Sequence, residues 1–114
     1  MSYKISVTRS AGADILQAYR YISEILQNSK AADDLLDNVS RSIGSLSEFP
    51  ERSSLIKDPV LHSWGIRYIK VSNYTVFYTV DDSRKTVFIL RLLYYRRNWA
   101  SILVKEDDHI MRGE

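Results

Sequence analysis

The chain opens on an apolar–polar alternation. Tyr3, Ile5 and Val7 alternate with Lys4, Ser6 and Thr8, the pattern of a half-buried strand. The period then lengthens. Ile15, Tyr19, Ile22 and Leu26 stand four, three and four residues apart, with Leu16 and Ile25 beside them. This is one apolar stripe of a helix predicted over residues 10–27, with Thr8 and Ser10 as candidate N-caps. Asn28 and Ser29 interrupt it. Asn28 suits a left-handed C-terminal position and Ser29 the N-cap of a second helix. That helix carries Ala32, Leu35, Leu36, Val39, Ile43 and Leu46 at helical spacing. Its early turns hold Asp33, Asp34 and Asp37, where the helix dipole favours acids. Phe49 before Pro50 closes it, because the residue preceding a proline leaves the helical region. So short a connection predicts an antiparallel helical hairpin.

Residues 50–63, with Pro50, Ser53, Ser54, Asp58 and Pro59, read as a loop. Three strands are predicted next, over Gly65–Val71, Tyr74–Val80 and Thr86–Leu93, rich in β-branched and aromatic residues. Ser72-Asn73 and the polar run Asp81 to Lys85 are the turns, short enough for an antiparallel meander. These strands are apolar on both alternating faces, so they are expected to be central in the sheet. Tyr94 to Leu103 continues as a strand end running into a short helix or coil, with Trp99, Ile102 and Leu103 able to fold back on the core. From Lys105 the chain is polar and expected to fray. The fold class is therefore α+β: an N-terminal strand, a helical hairpin, a three-stranded antiparallel meander and a short C-terminal helix or coil. Leu36, Val39, Ile43, Val76, Phe77 and Ile89 are the predicted core.

Length adds that 114 residues make one domain, 1–114, with an ordered core of about 3–103. There are no cysteines, which removes disulfides, thiolate chemistry and cysteine-type zinc sites and favours a reducing, cytoplasmic setting. No signal-peptide pattern and no membrane-length apolar run is seen, so the sequons at Asn38 and Asn73 read as accidental. A net charge of +2 conceals an asymmetry: residues 14–58 hold eight acids and five bases, residues 62–105 eight bases and two acids, and the last nine residues four acids against Arg112. A basic C-terminal half suits an anionic partner, the plain alternative being a solvated sheet face.

No glycine-rich phosphate loop, nucleophile elbow or metal-ligand cluster is present, and no cofactor or metal is expected. His62 stands before the sheet and is a candidate base, more ordinarily a loop histidine; His109 lies in the tail. In the segment Trp64 to Lys70, Arg67 and Lys70 fall among apolar strand residues, as on a phosphate-facing surface or a charge-protected edge strand. The sharpest constellation is Arg91 followed by Tyr94, Tyr95, Arg96, Arg97, Asn98 and Trp99. Guanidinium forks bind phosphate and aromatic faces stack on bases, a combination suited to RNA. The plain alternative keeps Trp99 and one tyrosine in the core and the arginines in solvent.

Taken in order, Ala13 to Leu16 with Tyr21-Ile22, Ala31-Ala32 with Leu35-Leu36, Leu46 to Pro50, Gly65 to Arg67, Asn73 to Tyr78 and Arg96 to Trp99 resemble the RelE/ParE superfamily over about residues 3–103. These proteins are the toxins of bacterial type II toxin–antitoxin pairs. The resemblance implies the same strand–hairpin–meander fold, a growth-arresting activity, and a small, partly disordered cognate antitoxin that folds on binding in a hetero-oligomer. RelE-like members cut mRNA on the ribosome, without a metal, by attack of a 2′-hydroxyl on its neighbouring phosphate. That chemistry requires a base, an acid and cations for the phosphorane charge. ParE-like members inhibit DNA gyrase and cut no RNA. The expectation is a ribosome-dependent endoribonuclease with Arg67, Lys70, Arg91, Tyr94, Arg96 and Arg97 as catalytic residues, and Tyr95, Trp99 and Trp64 as target-binding ones. Tyr94 or Tyr95 would supply a proton if those arginines lowered its pKa. The sequence departs from the nuclease pattern at Thr75, where many members carry arginine. A gyrase inhibitor, or a decayed antitoxin-binding module, are the other readings.

Overall fold

The computed structural model describes residues 2–104. Strand β1 (Lys4–Val7) is followed by helix α1 (Arg9–Arg20), a π-helical turn (Tyr21–Ile25), α2 (Ser29–Ser45), a short α3 (Pro59–Ser63), and strands β2 (Arg67–Val71), β3 (Tyr74–Asp81) and β4 (Thr86–Tyr94). A last helical segment, α4, covers residues 99–104. The predicted α+β fold of strand, helical hairpin, meander and short C-terminal helix is what forms. The tail from Lys105, with His109, lies outside the described residues.

Local chemistry sets the helix boundaries. Thr8 Oγ1 caps α1 by accepting from the Ala11 N–H at 3.2 Å, and Asn28 Oδ1 caps α2 by accepting from Ala31 at 3.0 Å. The connection therefore sits one residue earlier than predicted: Gln27 takes the left-handed position (φ 51°), and Asn28 serves as N-cap. Residues 59–63, predicted as loop, are helical. Asp58 Oδ1 accepts from Val60 and Leu61, both at 3.1 Å, and Pro59 stands in the first helical turn, where its missing N–H is not needed. At the other end Gly65 leaves α3 with φ 75°, a conformation that glycine adopts without strain.

The sheet has the order β1-β4-β3-β2: β3 and β4 are central as expected, whereas β2, also expected to be central, lies at the edge, its apolar faces covered by the two cores rather than flanked by strands. The meander β2–β3–β4 is antiparallel, and β1 joins it parallel to β4, with Lys4 opposite Thr86 and Val7 opposite Ile89. Each face supports its own core. Under the hairpin, Ala11, Ala18, Leu35, Val39, Ile43 and Leu46 pack on Ile69, Val76, Tyr78, Val87, Ile89 and Leu92. On the opposite face Ile56, Leu61, Ile66 and Leu103 enclose Phe77, Leu90 and Leu93. This is why the strands are apolar on both sides.

Two apolar expectations fail for geometric reasons. Leu36, predicted to be core, is 41% exposed. Residues 32, 35, 39, 43 and 46 already form the buried stripe, and a consecutive leucine points about 100° away from it. Leu26 is 55% exposed because the π turn, closed by Leu26 N–H donating to Tyr21 C=O at 3.0 Å, inserts a residue and shifts the helical period. Val39, Ile43, Val76, Phe77 and Ile89 are buried as expected.

Candidate functional site

The candidate residues converge at the C-terminal end of β4. A bulge lies between Phe77, which pairs with Arg91, and Tyr78, which pairs with Ile89, so that Leu90 is the extra residue on β4. Strict alternation from Val87 and Ile89 would send Arg91 into the hairpin-covered core. The bulge gives that place to Leu92 instead, which packs there. Arg91 meets Asp14 of α1 in a two-pronged ion pair, Nε to Oδ2 at 2.6 Å and Nη2 to Oδ1 at 2.8 Å. The same Oδ2 accepts from the Leu92 N–H at 3.1 Å. Since β1 stops opposite Ile89, α1 takes over the exposed edge of β4: Thr8 Oγ1 donates to the Leu90 carbonyl at 3.1 Å, and Asp14 caps Leu92.

Beyond the bulge, Tyr94 stands across from Tyr74, ring centroids 5.6 Å apart at 74°, an edge-to-face contact. Tyr95 lies 4.9 Å from Tyr94, and its N–H donates to the Asn73 carbonyl at 2.9 Å. Arg96 Nε donates to the Tyr95 hydroxyl at 2.7 Å, with the guanidinium 5.3 Å from that ring. Tyr94, Tyr95, Arg96 and Arg97 are all exposed and form one basic, aromatic face.

The other candidates are placed elsewhere. Arg67, on β2, donates through Nη1 to the Ser53 carbonyl and through Nη2 to Glu51 Oε2 at 3.5 Å, tying down residues 51–53. Lys70 is exposed on β2, opposite Thr75, on the sheet face away from the hairpin. Trp64 caps the C-terminus of α3 and packs against the second core. Trp99 packs on Phe77, ring centroids 5.8 Å apart. His62 Nδ1 lies 3.0 Å from the Ile56 carbonyl, remote in sequence and element from the β4 end.

Sequence reading did not find the cleft beside this face. It has a volume of about 540 Å³, and its walls include Asp14, Tyr21, Leu26, Tyr74, Tyr94 and Arg97. Tyr21 comes from the π turn and Tyr74 from the start of β3, so no linear motif joins them to Tyr94. Burial, reinforced by neighbouring Tyr94 and Tyr21, raises the Tyr74 pKa above its ordinary value, and its phenol stays protonated at neutral pH. Among the described residues no cluster of ligating side chains could hold a metal, and no helix is long and apolar enough to cross a membrane.

The family model for the ParE toxin of the type II toxin–antitoxin system parDE matches residues 5–99. This chain belongs to the ParE toxin family. The match runs from β1 to the first residue of α4 and takes in the whole sheet, the hairpin and the Tyr94–Arg97 face. No curated protein matches the sequence. Solved structures share the fold. A chain of the chromosomal ParDE toxin–antitoxin system of P. aeruginosa aligns with a TM-score of 0.67 at 18% identity, over 82% of this chain and 96% of that one. A chain of the toxin–antitoxin complex RelBE2 of Mycobacterium tuberculosis gives 0.58 at 21%, over 82% and 99%. A double arginine-to-alanine mutant of the E. coli toxin RelE in the free state gives 0.54 at 19%, over 93% and 94%. Solved chains named for ParDE and for RelE thus share this architecture.

Proposed function

We propose that this ParE-family toxin works in a pair with a cognate antitoxin and arrests growth by binding DNA gyrase rather than by cutting mRNA. The observation that carries this reading is the commitment of Arg67 and Arg91. Each is held by a carboxylate of its own chain, Glu51 and Asp14 respectively. A phosphorane needs cations that are preorganised toward it. Of the six residues assigned to catalysis, Tyr94, Arg96 and Arg97 share one exposed face, while Lys70 stands on β2. Thr75, in the place of the arginine common in nucleases, supports the same view. An exposed pair of arginines framed by two tyrosines is suited to docking on a macromolecular surface, where Arg and Tyr are enriched among the residues that carry affinity.

Ribosome-dependent mRNA cleavage is the second reading. The observation in its favour is the same face, where Arg96 is bonded to the Tyr95 hydroxyl and both can meet a nucleotide. The purified chain should be added to DNA supercoiling by gyrase and, separately, to translating ribosomes carrying a defined mRNA. Inhibited supercoiling with intact mRNA is the expected result. Cut mRNA with normal supercoiling would replace gyrase by the ribosome, and inactivity in both assays would point to a decayed module. Arg96→Ala with Arg97→Ala should abolish growth arrest and shift unfolding by no more than about 0.5 kcal/mol, as for other exposed side chains.

A further inference from the structure

The two ends of the meander carry opposite chemistry. Its acids, Asp81 and Asp82, stand at the β3–β4 turn beside Arg84 and Lys85. No acidic residue occurs between residues 62 and 80 or between 83 and 104. Strand β3 runs eight residues from Tyr74 to Asp81, so the end that holds Tyr74, Tyr94 and the arginines lies about 24 Å from those carboxylates. Arg91 is neutralised there by Asp14. Lys70, Arg96 and Arg97 are exposed, and among the described residues none of them meets a carboxylate. These cations are spread out. Lys70 stands opposite Thr75 and Thr75 opposite Leu93, which sets Lys70 two strand spacings, about 10 Å, from β4. Leu93 belongs to the core away from the hairpin. Tyr95, two residues on and still tied to Asn73, continues on that side of the sheet. Its hydroxyl accepts from Arg96 Nε, which leaves the phenol proton free to be donated outward.

We propose that this end of the sheet lies on the phosphate backbone of the DNA that gyrase holds, so that the toxin recognises gyrase and DNA together. The inference rests on the gyrase reading above and names the surface that receives Lys70, Tyr95, Arg96 and Arg97. Cations about 10 Å apart do not converge on one phosphorane. They do follow a line of charge: phosphates of one strand rise about 3.4 Å per nucleotide, so the spread covers roughly three steps. A guanidinium makes two-pronged contacts to a phosphate, and the lysine ammonium acts as a point charge. A tyrosine hydroxyl donates to phosphate oxygens in the same way as other side-chain hydroxyls. Such contacts fix position and carry no sequence information, so the toxin follows gyrase to whatever DNA it holds. An acidic patch on gyrase itself is the competing partner. The spread of cations along the sheet end, with no acid among them, favours the backbone.

The test measures binding of the labelled full chain to gyrase alone and to gyrase carrying a linear DNA duplex, across a series of salt concentrations. Bound DNA should tighten binding roughly tenfold or more at low salt. The logarithm of the association constant should also fall more steeply with the logarithm of salt than for gyrase alone, by about 2.7 for three cations at about 0.9 each. Changing the sequence of the duplex should leave both effects in place. Lys70→Gln and Arg97→Gln should each reduce the slope on gyrase with DNA by about 1. Both side chains are exposed, and an unchanged melting temperature checks the fold. Equal affinity and slope with and without DNA overturns the proposal and assigns the face to a protein surface, with the gyrase reading intact. A DNA-dependent gain that both variants keep, slope included, also overturns it, because the DNA then acts through the shape of gyrase. Absence of binding to gyrase in either state overturns the proposal and the gyrase reading together.

Discussion

Asp14 and Arg91, separated by 77 positions in the chain, form a two-pronged ion pair whose side chains are only 10% and 19% exposed. The pair joins α1 to the bulged end of β4, and Asp14 lines the cleft. Removing the carboxylate leaves a guanidinium and the Leu92 N–H without their acceptor. Asp14→Ala should cost roughly 1.5–3 kcal/mol, the range for hydrogen bonds to charged groups. A double-mutant cycle with Arg91→Ala, read by urea denaturation, should return a coupling on the order of 1 kcal/mol or more. Additive single costs would show that the contact contributes nothing as a pair.

Tyr78 is fully buried, yet its hydroxyl donates to the Pro50 carbonyl at 2.9 Å and sits 2.6 Å from Ser53 Oγ. It anchors the loop after α2 from inside the sheet, as Arg67 does from the strand edge. Tyr78→Phe keeps the ring and strips the loop of its partner. A loss of about 1–3 kcal/mol is expected for the unsatisfied buried groups, with faster amide exchange in residues 50–56. Unchanged exchange there would assign the anchoring to Arg67 alone.

Gln27 and Ser72 hold left-handed backbone, φ 51° and 56°, at the end of the π turn and in the β2–β3 turn. A side chain in that region costs about 1–2 kcal/mol, offset in glycine by its greater chain entropy of roughly 0.5–1 kcal/mol. Gln27→Gly and Ser72→Gly should each raise the melting temperature by up to a few degrees. Lower melting temperatures would mean that the replaced side chains make contacts worth more than the strain.

Asp81 closes the β3–β4 turn. The Ser83 hydroxyl donates to its Oδ1 at 2.7 Å and the Arg84 N–H at 3.1 Å; these bonds, the hydroxyl first, lower its pKa below the ordinary 3.8. A carboxylate with a lowered folded pKa contributes stability that is present above its unfolded pKa and lost as pH falls through the folded one. The contribution of Asp81 should thus be constant at neutral pH and disappear only below about pH 4. A carboxyl titration followed by NMR should place its midpoint under 3.8. A midpoint at or above that value would remove the turn from the acid response.

Most elements and the fold class are legible in the chain alone. Strand alternation in Tyr3–Val7, the stripe of Ala32, Leu35, Val39, Ile43 and Leu46, and the turns at Ser72-Asn73 and Asp81–Lys85 are local signals, because side-chain periodicity and turn chemistry act within a few residues. The order of landmarks along the chain also carried the superfamily. The α3 helix was legible in principle, from Asp58 before Pro59, but the surrounding polar residues concealed it. Three features depend on packing between distant parts of the chain. It placed β1 beside β4, since parallel pairing depends on contacts 82 positions apart, as in Lys4 opposite Thr86. It set the bulge at Leu90 and the π turn at Tyr21, each of which inserts one residue and changes which side chains are buried, exposing Leu26 and turning Arg91 to Asp14. And it brought Tyr21, Tyr74, Tyr94 and Arg97 around one cleft, from three separate stretches of chain, where no spacing rule joins them. Charge and aromatic content near Arg96 were visible in one dimension; which cations stay available was not, because Glu51 and Asp14 reach their arginines only once the sheet and hairpin have packed.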